Sequence, residues 1–212
     1  MSESRTSFKQ KTIRAFFLAF DKRQKKEETI ESELSTTGLT YFQMKLPVEK
    51  ITPEFEEKLR KDVEKNILKA KIREATIEDL PSVCQVYNRS WMTSCTPYRP
   101  LAVDTLRQIY DYPETTVLVA RVYGADAGFA ILDFEGLNQE YGIIAGLGVI
   151  PRFQRKGLGT VIGMASWEYF KKKGVKELRC EVYKDNIVSY NFISSLGFEK
   201  YDVKTYKSDD FA

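Results

Sequence analysis

The sequence predicts a fold of the α/β or α+β class, in which helices flank a sheet, preceded by a shorter N-terminal extension. The chain has 212 residues, a length that suits one large domain or one domain with an extension. Its residues are 42% apolar and 13% aromatic, which is enough to form a buried core. From residue 71 onward, strand-like and helix-like patterns alternate. We therefore divide the chain into an accessory extension, residues 1–70, and a main domain, residues 71–212.

The extension is predicted to contain a helix, a short strand and a second helix. Apolar residues at helical spacing within Phe8–Phe20 predict an amphipathic helix. Leu39–Leu46 is rich in strand-forming residues, and Pro53 stands after Thr52 at a position typical of the first turn of a helix. The extension is either an accessory layer on the main domain or a surface for a partner, such as a homodimer formed through it or through a sheet edge. A basic, aromatic helix also suits a membrane surface.

Two local sequence patterns predict the secondary structure of the first half of the main domain. Thr76 and Asp79 have capping-box spacing before a helix that runs to Trp91. A turn at Gly124–Ala127 joins two strand-like runs into a hairpin. The predicted elements are a strand at Lys71–Ala75, a helix at Leu101–Tyr110 and strands at Thr116–Tyr123 and Gly128–Phe134.

The second half begins with a strand that is unusual in its glycine content. Tyr141–Ile150 contains three glycines, which weaken a strand unless a bulge or a close ligand backbone requires the missing side chains. A helix follows and ends at Gly174, with three lysines favourably placed at its C-terminal end. The remaining predicted elements are a helix at Lys156–Lys173, a strand at Lys176–Val182, a helix at Asn186–Ser195 and a strand at Phe198–Lys207.

Charge and cysteine content exclude several function classes. The net charge is +3, and residues 71–212 carry equal numbers of acidic and basic side chains, so we expect no nucleic-acid partner despite the basic residues 1–26. No apolar run approaches the roughly 20 residues of a membrane-spanning helix. The three cysteines follow no metal-binding or disulfide spacing, which favours reduced thiols in the cytoplasm.

The chain contains no histidine. This excludes nucleophilic systems built on a Ser-His or Cys-His pair, and it removes the commonest ligand of catalytic zinc. We therefore expect no metal, and any proton transfer must use carboxylates, tyrosine, lysine, cysteine or water.

The stretch after the glycine-containing strand is the one most informative about chemistry. A glycine-spaced loop, Gln154–Thr160, leads from the strand into a helix. Such a loop can direct backbone N–H groups at an anion, and the helix dipole adds to the attraction. Gly157 and Gly159 let the backbone approach phosphates, while Arg155 and Lys156 offer positive charge. A tightly packed strand-turn-helix without a ligand is the alternative.

This loop resembles that of a known family. Its pattern Val149-x-Pro151-x-x-Gln154-x-x-Gly157-x-Gly159 resembles the coenzyme A loop of the GNAT superfamily of N-acetyltransferases. Two further segments resemble the family's opening and later strand-helix units: Ile72-Arg73-x-Ala75-Thr76-x-x-Asp79-Leu80, and Glu181-Val182 with Asn186 and Leu196-Gly197-Phe198. The resemblance covers about residues 71–207.

The resemblance implies a mixed, twisted, largely antiparallel sheet with acetyl-CoA bound where two strands splay apart. The strand ending at Val149 and the strand ending at Val182 would form this cleft. The family's pantetheine contacts correspond to Leu147, Gly148 and Val149. Its pyrophosphate contacts correspond to Gln154, Arg155, Lys156, Gly157, Leu158, Gly159 and Thr160. Asn186 corresponds to a position whose side chain often contacts the cofactor.

The proton-transfer residues of the family are only partly matched. Ile144 stands where many members carry a glutamate, whereas Glu181 matches the base of the ribosomal-protein alanine acetyltransferases. Glu181 is therefore the first candidate base, with a surface or salt-bridged strand glutamate as its alternative explanation. Ile193 stands where the family's acid, a tyrosine, is usual. Tyr190 lies one helical turn earlier and is the candidate substitute, with core packing as its alternative explanation.

These residues predict a cytoplasmic N-acetyltransferase that uses acetyl-CoA and a primary amine. The acceptor is a small molecule, a polyamine or a peptide or protein N-terminus. Trp91–Pro100 is expected to line its site, and the carboxylates Asp133, Glu135 and Glu140 suit a polyamine. The alternative is a catalytically weak module that binds acetyl-CoA as a sensor or scaffold.

Overall fold

The fold is described from a computed structural model, for residues 38–64, 69–96 and 100–207. The predicted helix within Phe8–Phe20, the basic residues 1–26 and positions 97–99 of the expected acceptor segment lie outside these ranges. The described helices are α1 Pro53–Glu64, α2 Leu80–Trp91, α3 Val103–Tyr110, α4 Leu158–Lys172 and α5 Ile187–Ser195. The described strands are β1 Leu39–Pro47, β2 Ala70–Glu74, β3 Thr116–Val122, β4 Ala125–Glu135, β5 Tyr141–Val149, β6 Glu177–Tyr183 and β7 Glu199–Tyr206.

The described strands form one mixed sheet, which confirms the predicted fold class. Their order is β2-β3-β4-β5-β6-β1-β7. Neighbouring strands are antiparallel except β5 and β6, which are parallel. The helices α4 and α2 pack on opposite faces of the sheet, where they place Phe170 and Trp91 against glycines of β5.

The strand β1 lies inside this sheet, although it belongs to the predicted extension. It pairs with β6 along Tyr41–Pro47 and with β7 along Leu39–Lys45. Its side chains Met44 and Leu46 are buried in the same core as residues of the main domain. The described part of the extension is therefore continuous with the main sheet, while the division of the chain at residue 70 stays a prediction.

The hairpin between β3 and β4 is tighter than the sequence predicts. A four-residue turn is wrong, because β4 begins at Ala125. Tyr123 and Gly124 both have positive φ, at 51° and 82°. Two residues of this conformation form the hairpin turn that matches the natural twist of paired strands. The turn therefore needs only these two residues.

Among the described residues, no helix is long and apolar enough to cross a membrane. The same residues contain no cluster of three or more histidine, cysteine, aspartate or glutamate side chains with metal-binding geometry.

Candidate active site

A cleft opens where β5 and β6 separate. Their parallel pairing covers only three positions and ends where Ile143 meets Arg179. Beyond that point β5 continues to Val149 and β6 to Tyr183 without pairing with each other, while β5 still pairs with β4 and β6 with β1. This is the predicted divergence of the two strands. Residues of β1, β4, β5, β6 and α5, together with Trp91 at the end of α2, line the cleft.

A bulge in β5 lies beside the cleft. Leu132 of β4 pairs with Ile144, and Ile131 pairs with Gly146, so Ala145 is an extra residue on β5. A bulge interrupts the ladder and leaves backbone groups of the extra residue unpaired in the sheet. A bulge is one of the predicted reasons for the glycines of this strand, but the extra residue itself is an alanine.

The glycines on either side of the bulge have a different explanation. A Cβ at Gly142 would approach Phe170 of α4 to 2.6 Å, whereas a Cβ at Gly148 would approach Trp91 of α2 to 2.8 Å. Residues six apart on a regular strand face the same side, so the bulge reverses the alternation between them. These two glycines make room for aromatic rings on opposite faces of the sheet.

The loop after β5 has the geometry of an anion site. Arg155 and Gly157 have positive φ, at 55° and 81°, and Gly157 directly precedes α4. The N–H of Val161 makes the bond to the Gly157 carbonyl at 3.1 Å that closes the first turn. The preceding amides, Leu158–Thr160, are the ones that a helix N-terminus presents to an anion. Arg155 and Lys156 are exposed beside them.

Gln154 fixes this loop to the end of β5. Its side-chain Nε2 donates to the Val149 carbonyl at 2.9 Å, and its backbone N–H donates to the Pro151 carbonyl at 3.2 Å. Both donors are therefore engaged within the protein. Gln154 is therefore a positioning residue, because its side chain holds the loop against β5, which lines the cleft.

Asn186 joins α5 to the segment that follows α2. Its Oδ1 accepts from the Ser189 N–H at 3.0 Å and so caps α5. Its Nδ2 donates to Ser94 Oγ at 3.1 Å and to Thr96 Oγ1 at 2.7 Å. Asn186 is buried, and Thr96 lines the cleft. The side chain thus holds the rim of the cleft in place.

Glu181 lies in the cleft, where the predicted base is needed. Its Oε1 accepts a hydrogen bond from Tyr206 Oη at 2.5 Å. Its position on β6 is directly opposite Gln43 of β1, and Tyr183 is directly opposite Tyr41. Residues paired in this way share one face of a sheet. The four side chains therefore form one patch.

Tyr190 does not lie with Glu181. Its ring packs edge-on against Phe42 at 5.6 Å between centroids, and it is not among the residues that line the cleft. Phe42 and its neighbour Gln43 point to opposite faces, because side chains alternate along a strand. The helix α5 instead turns Ser189, Phe192 and Ile193 toward the cleft. Core packing, the alternative explanation given for Tyr190 from the sequence, therefore fits its position better than a catalytic role does.

Acidic side chains predominate in the cleft. Asp133, Glu135 and Glu181 line it, with Arg179 as the lining residue of opposite charge. Arg179 is held by Glu177, whose Oε1 accepts from its Nε at 2.7 Å, and its guanidinium lies 3.5 Å from the ring centre of Tyr141. Glu140, the third predicted carboxylate, is not among the lining residues, and it accepts from the Asn138 N–H. The cleft therefore favours a cationic ligand.

The contribution of β1 to the cleft is not predicted from the sequence. Tyr41 and Gln43 line the cleft, and both are buried. Burial, with a smaller contribution from Glu181, raises the pKa of Tyr41 well above its usual value, so the phenol stays protonated. No local pattern could have found these residues, because their place depends on pairing with β6, more than 130 positions later in the chain.

The family model for the acetyltransferase (GNAT) family matches residues 80–198, more than half of the chain. Among curated proteins, mycothiol acetyltransferase of Renibacterium salmoninarum is 32% identical over 108 residues. That alignment covers 51% of this chain but only 28% of the relative, so the chain matches less than a third of that protein's length.

Solved structures share the fold at low sequence identity. Aminoglycoside N-acetyltransferase AAC(6')-Iy in complex with CoA superposes with a TM-score of 0.55 at 19% identity, over 66% of this chain and 95% of that one. The ribosomal-protein-S18-alanine N-acetyltransferase of Escherichia coli gives a TM-score of 0.53 at 23% identity, over 63% and 79%.

Proposed function

Because this chain belongs to the GNAT family of acetyltransferases, we propose that it transfers an acetyl group from acetyl-CoA to a primary amine. One observation carries the proposal. The cleft between β5 and β6 contains a carboxylate, Glu181, and the strand β5 on its other side leads directly into the anion-binding loop before α4. A donor with a pyrophosphate and a long arm fits such an arrangement.

The donor is assigned to β5 and the loop that follows it. Leu147, Gly148 and Val149 would contact the pantetheine arm, since they follow the bulge on the part of β5 that pairs with β4 but no longer with β6. The pyrophosphate would be held by the N–H groups of Gly157–Thr160, with Arg155 and Lys156 adding charge. Gln154 and Asn186 would act by holding the loop and the rim in place, because their side-chain amide nitrogens already donate hydrogen bonds within the protein.

The proposed reaction is a direct transfer within a ternary complex. The neutral amine nitrogen attacks the thioester carbonyl, a C–N bond forms, and the C–S bond breaks to release CoA as a thiolate. The nitrogen loses a proton, and the thiolate gains one from water. Glu181 is the proposed base that receives the proton from the amine, directly or through one water molecule. Because Ile193 lines the cleft and Tyr190 does not, no tyrosine of α5 is assigned the task of the acid.

The acceptor is proposed from the charge of the cleft. Amines are cationic in free solution, and the carboxylates of Asp133, Glu135 and Glu181 would attract them. The relatives named above act on different amines, so the family leaves open a small molecule, a polyamine or a peptide N-terminus.

The first experiment measures release of free thiol from acetyl-CoA over a panel of polyamines, amino acids, aminoglycosides and peptides with free N-termini. We expect thiol release that depends on an amine, and a fall in kcat/KM of about a hundredfold or more in Glu181→Gln, because general base catalysis contributes that much. Glu199→Gln is the matched control, since Glu199 lies on the edge strand β7 and forms an exposed ion pair with Lys50.

The alternative function is a module that binds acetyl-CoA without turnover. Ile193 in the cleft, at the family's tyrosine position, favours it. A thermal shift that grows with acetyl-CoA concentration, without thiol release from any amine, would support this module and contradict the transferase. Unchanged activity in Glu181→Gln, with normal activity in the wild type, would contradict only the assignment of the base.

A further inference from the structure

Two buried polar atoms of β1 are unaccounted for by the proposed reaction. Tyr41 Oη and Gln43 Nε2 are buried and have no hydrogen-bond partner within the described residues. The exposed fractions of the two residues are 5% and 8%. Buried polar groups of native proteins are nearly always hydrogen-bonded, so each such atom indicates a missing partner.

Both residues face the cleft, on the same patch as the proposed base. Gln43 lies directly opposite Glu181, and Tyr41 lies directly opposite Tyr183. The Tyr41 ring is fixed between two others, 5.5 Å from Tyr183 and 5.9 Å from Tyr206. The two polar groups are thus held by a rigid strand rather than by a loop.

The atoms themselves define what the missing partner is. Gln43 Nε2 is a donor only, so it requires an oxygen that accepts. Tyr41 keeps its proton and can donate to the same oxygen or accept from a hydroxyl. Three carboxylates in the cleft disfavour an anionic partner. A neutral oxygen, of a hydroxyl or an amide, satisfies all three conditions.

We infer that Tyr41 and Gln43 form an acceptor subsite that binds a neutral oxygen carried by the substrate close to its amine. The inference rests on the proposed function and narrows its acceptor to amines that carry a hydroxyl or an amide carbonyl. A simple alkylamine or an oxygen-free polyamine leaves both donors of β1 without a partner, and a site built to bind an oxygen discriminates against such a ligand.

Two pairs of matched amines test this. Ethanolamine and propylamine differ by a hydroxyl in place of a methyl group, and glycinamide and isobutylamine differ by an amide in place of an isopropyl group. We expect the first member of at least one pair to have the higher kcat/KM. The pair that shows the preference distinguishes a hydroxyl from a carbonyl. A binding measurement on the CoA-bound protein, by thermal shift, gives a second readout that needs no turnover.

The variants Tyr41→Phe and Gln43→Met remove the polar atoms and keep the apolar contacts. Each is expected to lower the preference for the oxygen-bearing amine by about fivefold or more, as loss of a hydrogen bond does. The change of the ratio from wild type to variant is compared, so the different basicities of the amines cancel. Melting temperatures are expected to stay equal or to rise, because an unpartnered buried group is removed.

Thr115→Val is the matched control. Thr115 Oγ1 is also buried without a partner in the described residues, but Thr115 does not line the cleft. Its variant should leave the amine preference unchanged.

Three outcomes would overturn the inference. The first is equal thermal shifts for both members of each amine pair with the CoA-bound wild type. The second is an unchanged amine preference in both Tyr41→Phe and Gln43→Met. The third is a marked loss of stability in both variants, which would show that Tyr41 Oη and Gln43 Nε2 have partners within the protein. Absence of thiol release with any amine would instead contradict the proposed function, since binding is measured separately.

Discussion

Among single residues, Gly157 is the one whose backbone conformation matters most for the loop before α4. Its φ of 81° is in the left-handed region that glycine adopts without strain. A side chain at this position meets only ordinary contacts with Val63, the nearest at 3.5 Å, so there is room for it within the fold. A substitution at Gly157 is therefore expected to affect ligand binding at the loop more than packing within the fold.

Gly157→Glu is expected to abolish acetyl-CoA binding without unfolding the protein. The added carboxylate repels the pyrophosphate, and the left-handed conformation costs about 1–2 kcal/mol in any residue other than glycine. The measurement is the thermal shift caused by acetyl-CoA.

Gly124→Glu is the control for this strain. Gly124 has a φ of 82°, and no atom lies within 4 Å of an added Cβ. This variant should lose a similar amount of stability and keep the thermal shift. If Gly157→Glu binds acetyl-CoA with unchanged affinity, the placement of the donor is wrong.

At the scale of elements, the start of α2 shows how a local motif joins two elements. Asp79 accepts two hydrogen bonds from Arg73 of β2, at 2.6 and 2.7 Å, and one from the Thr76 N–H at 2.8 Å. The Arg73 guanidinium, followed by the Thr76 N–H, holds the pKa of Asp79 well below its usual value. The cap therefore fixes α2 relative to the edge strand.

Asp79→Ala is expected to lower the free energy of unfolding by about 2 kcal/mol at neutral pH, because it removes a cap and a charged pair. The folded state lowers the pKa, so this contribution is complete above the ordinary pKa of an aspartate, near 3.8, and is lost as the pH falls below it. Urea unfolding at neutral pH and at about pH 3 should show the difference from wild type shrinking in acid.

Asp104→Ala is the control, since Asp104 is an exposed carboxylate in the first turn of α3. Its effect should be smaller at both pH values. A difference between Asp79→Ala and wild type that grows in acid would contradict this account of the cap.

On the scale of the whole molecule, β1 makes the sheet continuous. In the described sheet β7 pairs with β1 and with no other strand, so β1 connects β7 to β6. Met44 of β1 is fully buried in the common core. Unfolding of β1 should therefore be part of the global transition rather than a separate local event.

Met44→Ala is expected to lower the global free energy of unfolding by about 2–5 kcal/mol, the cost of a cavity in a core. Both tryptophans belong to the predicted main domain, but Trp167 stacks on Phe55 of the extension, so the fluorescence of Trp91 in a Trp167→Phe background is the one that reports the main domain. The transition followed by this fluorescence should shift in Met44→Ala and stay in place in Glu49→Ala, whose side chain is exposed. An unchanged tryptophan transition in Met44→Ala would mean that the extension unfolds independently.

Features that depend on neighbouring residues could be predicted from the amino-acid sequence. The start of α2, the glycine-spaced loop before α4 and the alternation of strands and helices all follow from spacing over a few positions. The family resemblance added the divergence of β5 and β6, which the register confirms.

The composition of the cleft, in contrast, depends on contacts between distant parts of the chain. Pairing of β1 with β6 brings Tyr41 and Gln43 to Glu181, and the rotation of α5 turns Ile193 inward and packs Tyr190 on Phe42. Strand pairing between distant segments and the rotation of a helix about its axis are set by packing of the whole core. Local propensity and spacing do not contain that information.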